Sequence, residues 1–141
     1  LAAAHNVMVL IEPISTRAML GYFLNYQAQA HAIVQKIGRP NLKVQMDLFH
    51  CQLMEGDVVH KLRQYLPTGQ IGHFQIASAP DRHEPHLGEL HYAYVLTELL
   101  QLAQQHHWQG WLGCEYLPAA DTSQGVQAMR AAWLKHNLVL G

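Results

Sequence analysis

The sequence predicts an α/β fold, a parallel sheet of four β/α units with helices outside it. Three observations lead there. Short apolar runs alternate with stretches of helical periodicity in the order βαβαβαβα, and such alternation implies a parallel sheet. Each run ends in a polar residue of ligand type: Glu12, Asp47, Gln75 and Glu115. The steps between those residues are 35, 28 and 40, each long enough for a loop, a helix and a return turn. That regularity suits a TIM barrel, of which four units make half.

The elements follow in chain order. Residues 1–5 read as the end of a helix, and His5-Asn6 as the turn into the first strand. Val7 to Ile11 is an unbroken apolar run that meets Glu12 and Pro13. Such a run reads as a strand buried on both faces. Proline cannot donate to a ladder, so the strand ends there with Glu12 at its carboxyl end. Ser15 to Tyr22 is a polar loop. Asn25 is placed to cap a helix that runs through Ala28, Ala32 and Ile33 and stops at Gly38.

Leu42 to Phe49 is the second strand, with Asp47 near its end. Gly56-Asp57 opens a second helix on Val58, Val59, Leu62 and Leu66, closed by Pro67 and Gly69. Ile71 to Ala77 is the third strand, followed by a loop rich in His and Pro from Ser78 to His91. Tyr92, Val95, Leu96, Leu99, Leu102 and Ala103 form the apolar stripe of a third helix. Gly110 to Glu115 is the fourth strand, and about Ser123 to Leu134 the last helix, with Val126, Met129, Ala132 and Trp133 as its apolar residues.

At 141 residues the chain is one domain at most. Its 9 basic and 10 acidic side chains leave a net charge of −1, which gives no electrostatic reason to expect nucleic acid or an anionic membrane as partner. Two cysteines do not make a disulfide framework, so a reducing, cytoplasmic setting is expected. No apolar run is long enough to span a bilayer. The chain begins at Leu1 on what looks like a helix already under way, which suggests a fragment.

Functional residues in parallel α/β folds sit at the carboxyl ends of strands. Three carboxylates and an amide oxygen are hard ligands. They suit Mg²⁺ or Mn²⁺, with Co²⁺ as a further candidate. A divalent ion would relieve the repulsion among Glu12, Asp47 and Glu115 and keep them ionised. The plain alternative is four solvated strand ends, and for any one of the four alone it is the better reading. His50, three after Asp47, turns back over the same point. His73 reads as a core histidine with a local partner. Arg82 could hold a substrate carboxylate with paired hydrogen bonds, or simply pair with Glu84 or Glu89 on its own loop. Cys51 and Cys114 read as small buried residues, Trp108, Trp111 and Trp133 as packing residues, and His106-His107 as surface residues.

The stretches Leu10-Ile11-Glu12-Pro13-Ile14, Gly21-Tyr22-Phe23-Leu24, Asp47-Leu48-Phe49-His50, His73-Phe74-Gln75-Ile76-Ala77, Arg82-His83-Glu84-Pro85, Gly88-Glu89 and Gly113-Cys114-Glu115-Tyr116 resemble, in order and at natural spacing, the hydroxypyruvate isomerase family. That family belongs to the xylose-isomerase-like TIM barrels. The resemblance implies that residues 1–141 are the second half of such a barrel, strands five to eight. It implies metal ligands at Glu12, Asp47, Gln75 and Glu115, with Glu12 and Glu115 as the acid/base pair. Related sugar epimerases place a substrate-contacting His and Arg where His50 and Arg82 stand. His86-Leu87 departs from the small or polar pair usual before Gly-Glu.

The implied activity is a metal-dependent aldose–ketose isomerisation between hydroxypyruvate and 2-hydroxy-3-oxopropanoate, with proton transfer through an enediolate. The alternative within the family is a 2-dehydrotetronate (2-oxo-tetronate) isomerase. A nuclease of the same barrel group, or a non-catalytic sugar-binding module, ranks lower, since nuclease sites of that kind need several histidines and a basic surface. A half-barrel is expected to leave raw edges at its first and fourth strands and an apolar inner face. Such a chain would aggregate or pair with a second half-barrel as a homo-oligomer, and would have weak or no activity alone.

Overall fold

The structure is a computed structural model and describes residues 1–136. Its four strands are β1 (Val9–Ile11), β2 (Leu42–Asp47), β3 (Ile71–Ile76) and β4 (Leu112–Cys114). They form one parallel sheet in the order β1-β2-β3-β4. Five α-helices connect and follow them: α1 (Gln27–Ile37), α2 (Leu48–Met54), α3 (Val58–Tyr65), α4 (Tyr92–Gln105) and α5 (Thr122–Leu134). A short 3₁₀ turn at Ala2–His5 precedes β1, with Asn6 in the left-handed region behind it.

The strands alternate. Val44 and Met46 of β2 and Ile71, Phe74 and Ile76 of β3 are buried without exposed surface, on the face that meets the helices. Their largest cluster joins Leu62 of α3, Leu96 and Leu99 of α4, and Met129 and Trp133 of α5. This is the expected layering of an α/β sheet, in which burial of one face of each helix supplies most of the stability.

Several expectations are corrected. β1 is not buried on both faces. It is an outer strand, and Val7, Met8 and Val9 are exposed because only β2 pairs with it. The inner face is not apolar: the alternate positions Gln45, Asp47, His73 and Gln75 make it polar toward the carboxyl end, and Glu12 continues that row beyond β1. The second strand stops at Asp47, and the next residue already begins α2, a helix that the apolar pattern does not announce. The change is local. The Asp47 carboxylate caps α2 by accepting from Phe49 N at 2.8 Å, so the polar strand end doubles as a helix start.

Tyr26, not Asn25, is the cap of α1. Asn25 instead donates from Nδ2 to Ile14 O at 2.8 Å and pins the loop beyond β1. The buried face of α1 is Gln27, Ala30, His31 and Val34, while Ala28 and Ala32 face solvent. An alanine-rich helix gives little periodicity to read, so its pattern does not mark the two polar residues on the inner face. Gly38 ends α1 at φ 63°, where a Cβ would be strained.

Candidate active site

Because the strands are parallel, Glu12, Asp47, Gln75 and Glu115 stand at the same end of the sheet. Register places Asp47 beside Gln75, and Gln75 beside Gly113. Asp47 is fully buried at the centre. Its Oδ1 is taken by the α2 cap, and its Oδ2 has no hydrogen-bond partner. The nearest nitrogens of basic side chains to Oδ2 are His50 Nε2 at 3.7 Å and the cationic Arg82 Nη2 at 3.8 Å. Burial pushes the Asp47 carboxyl up to about 6, against the Phe49 hydrogen bond and the Arg82 charge, which pull it down.

Glu12 follows β1. Its Oε2 accepts from Gln45 Nε2 at 2.8 Å, and its Oε1 is buried without a partner. Burial first, then the charges of Asp47 and Glu115, push Glu12 up to about 7. Gln45 also donates to Gln75 Oε1 at 2.6 Å. Glu115, just past β4, keeps 53% of its side chain exposed and accepts from Arg82 Nη2 at 2.6 Å. Arg82 sits at φ 59° in the loop after β3, with its guanidinium 5.1 Å from the Phe49 ring centre. It therefore pairs with Glu115 and approaches Asp47; Glu84 and Glu89 lie elsewhere. Glu84 is buried and accepts from Ala119 N at 3.2 Å, while Glu89 accepts from Gln52 at 3.1 Å.

His50 is buried on α2, and its Nδ1 accepts from the Ser15 backbone N–H at 3.2 Å. A backbone N–H can only donate, so the proton of the neutral ring sits on Nε2, the atom facing Asp47. Burial, then the Arg82 charge, lowers His50 to about 4, so the ring is neutral across the physiological range. Glu12, Asp47 and His50 have ligand-type atoms within 4.8 Å of one another. The tautomer makes Nε2 of His50 a donor, which favours a role in holding substrate over one in holding a cation. Glu115 stands outside that close group, turned to Arg82. Gln75 joins it through Gln45.

His73 is half-buried against Gly113 and has no hydrogen-bond partner among the described residues, so the expected local partner is not found. Cys51 is buried but Cys114 is exposed. Trp133 and Trp108 do pack in the core, whereas Trp111 is 81% exposed on the approach to outer strand β4. Two site residues are missed by reasoning from sequence. Gln45 was legible, since position i−2 from Asp47 faces the same side of a strand. Ser15 gave no signal, because its place depends on an irregular loop.

The comparisons with known proteins agree with this geometry. A family model described as a xylose isomerase-like TIM barrel matches residues 1–132. The chain belongs to that family. It is 51% identical to the 2-oxo-tetronate isomerase of Cupriavidus necator over 95% of this chain and 47% of that protein. It is 37% identical to the hydroxypyruvate isomerase of Escherichia coli over 88% of this chain and 46% of that one. Among solved structures, that of an AP endonuclease, family 2, from Brucella melitensis superposes with a TM-score of 0.81 at 43% identity, over 93% of this chain and 48% of that chain. The chain thus spans about half the length of the relatives it matches. The four-strand parallel sheet is a partial barrel of this family, and the resemblance to hydroxypyruvate isomerases holds along most of the chain. No helix among the described residues is long and apolar enough to cross a membrane.

Proposed function

We propose that this chain carries the acid/base and ligand residues of an isomerase that interconverts hydroxypyruvate and 2-hydroxy-3-oxopropanoate by proton transfer through an enediolate. The observation that carries the reading is the pair of buried, unpartnered carboxylate oxygens, Glu12 Oε1 and Asp47 Oδ2, beside Arg82. Buried carboxylate atoms without partners are costly, and a divalent cation satisfies them. The donor set is rich in oxygen, which fits Mg²⁺, Mn²⁺ or Co²⁺. Glu12, Asp47, Gln75 and Glu115 would hold the ion. When bound, it supplies Lewis-acid polarisation of the substrate oxygens.

The remaining steps belong to the side chains. Arg82 receives the substrate carboxylate, which competes with Glu115 for the guanidinium and releases that glutamate toward the substrate. His50 offers its Nε2–H to a substrate oxygen. Glu12 is placed to take a proton from carbon: burial pushes its carboxyl up to about 7 with no ion bound, and a bound cation would draw it back down. Glu12 removes a proton from C3 of hydroxypyruvate and leaves an enediolate across C2 and C3. Glu115, once released from Arg82, takes a proton from solvent and delivers it to C2, while the proton of the C3 hydroxyl passes to the C2 oxygen and Glu12 later returns its proton to solvent. The product is the aldehyde, and the reverse direction exchanges the two roles.

A second reading, a 2-oxo-tetronate isomerase, is favoured by the 51% identity to the Cupriavidus necator protein. The chemistry is the same, one carbon longer. A nuclease function, which the name of the Brucella melitensis protein would suggest, fits less well with an oxygen-rich site and a net charge of −1. The deciding experiment is turnover of both acids by the intact protein, with chelator and with Mn²⁺, in D₂O. The expected result is metal-dependent turnover of one acid with solvent deuterium entering at C2. No turnover of either acid would overturn the proposal.

A further inference from the structure

Gln45 has no part in the acid/base pair, yet its amide sits at the centre of the site. β2 lies between β1 and β3, so an inner-face residue of β2 can reach both neighbours at once. Gln45 does so: Nε2 donates to Glu12 Oε2 at 2.8 Å and to Gln75 Oε1 at 2.6 Å. The two acceptors belong to different strand ends, so one NH₂ group ties the carboxyl end of the sheet across three strands.

The chemistry of that group is specific. A primary amide nitrogen carries two hydrogens and no charge, so it can serve two acceptors together. Glutamate at this place would face two acceptors with a third, and leucine or methionine offers neither hydrogen. The bond to Oε2 also distinguishes the two oxygens of Glu12. Oε2 is held, while Oε1 is left buried and without a partner. The bond to Gln75 fixes the sense of that amide: its oxygen, with a second lone pair still open, lies in the site. Groups that orient metal-ligating side chains in this way stand behind the ligands and tune them.

We infer that Gln45 is a positioning residue that sets the Glu12 carboxylate and the Gln75 amide oxygen in place for a divalent cation. The inference rests on the metal reading of the site proposed above. It concerns binding, so it is tested without turnover.

The test is Mn²⁺ titration of the intact protein, followed by the loss of the free-ion electron paramagnetic resonance signal. Gln45→Met keeps the length of the side chain and removes both hydrogens. The expected result is an Mn²⁺ affinity about 10–100-fold weaker than wild type, with the melting temperature in chelator within a few degrees of wild type. Equal affinity in Gln45→Met and wild type would overturn the inference and leave the metal reading standing. Wild type that binds no Mn²⁺ would overturn the metal reading and the inference with it. A measurement on wild type alone covers the case in which Gln45→Met does not fold. In ¹⁵N-edited spectra the side-chain NH₂ of Gln45 should exchange with solvent more slowly than exposed glutamine amides. Exchange as fast as those would show that the bridge is not made, and would overturn the inference.

Discussion

The inner strands β2 and β3 differ from the outer strands β1 and β4 in what fixes their residues. On the inner pair, the helix-facing residues Val44, Met46, Ile71, Phe74 and Ile76 are fully buried, and Asp47 is too. On the outer pair, Val9 is 40% exposed and Glu115 keeps about half its surface. The same contrast runs through the candidate site. Asp47 is held by a helix cap and by the core around it. Glu115 is held by one guanidinium on a loop. Glu12, beyond the other outer strand, is tied to Gln45 of β2, so Glu115 is the loosely held one of the three carboxylates. It is the one whose partner a substrate can take.

The largest expected effect lies at the outer strands, since both members of the acid/base pair follow them. In the intact protein, Glu12→Gln and Glu115→Gln should each lower kcat by about 10²–10⁴-fold, since glutamine keeps the shape but cannot take the proton. Steady-state kinetics on the preferred acid would decide, and near wild-type turnover in either variant would remove it from the acid/base pair. Next comes stability. Phe74→Ala, at a fully buried position of β3, should destabilise by about 3–5 kcal/mol. Val9→Ala, on the exposed β1, should lose about 1 kcal/mol or less. Urea unfolding of both variants checks this, and similar losses would mean the outer strand is as well packed as the inner.

A smaller effect is expected at the loop that bridges the two regions. Arg82→Lys should raise KM for a carboxylate-bearing substrate by about tenfold with a lesser change in kcat, because lysine cannot make the paired contact. An unchanged KM would point to another anchor for the carboxylate.

The smallest effect is read in pH. The Glu12 carboxyl titrates at about 7 in the fold, above its ordinary 4.5. The folded state thus binds that proton more tightly than the unfolded chain. Its contribution is complete below about 4.5 and is lost as pH rises through about 7. Glu12→Gln has no such loss. In chelator, its melting temperature relative to wild type should therefore rise between those limits and level off above them. A gap that stays constant with pH would show that Glu12 is not held in a proton-retaining environment.

The alternation of strands and helices (α2 apart), the parallel class of the sheet and the placing of the polar residues near the strand ends were all legible in the sequence. Apolar runs that stop at Glu12, Asp47, Gln75 and Glu115 are local facts, and local periodicity reports them. It also held the clue to Gln45, two residues before Asp47. What only the tertiary structure decided is how far each of those residues is withdrawn from water and which partner it meets. Asp47 became a helix cap because α2 begins at once after β2, and a strand pattern cannot announce that. The Nδ1 of His50 was assigned by a backbone N–H at Ser15, 35 residues away in the chain. Glu115 met Arg82 through the loop after β3. These are contacts between segments distant in sequence, set by the packing of the whole sheet, and no spacing along a single segment encodes them.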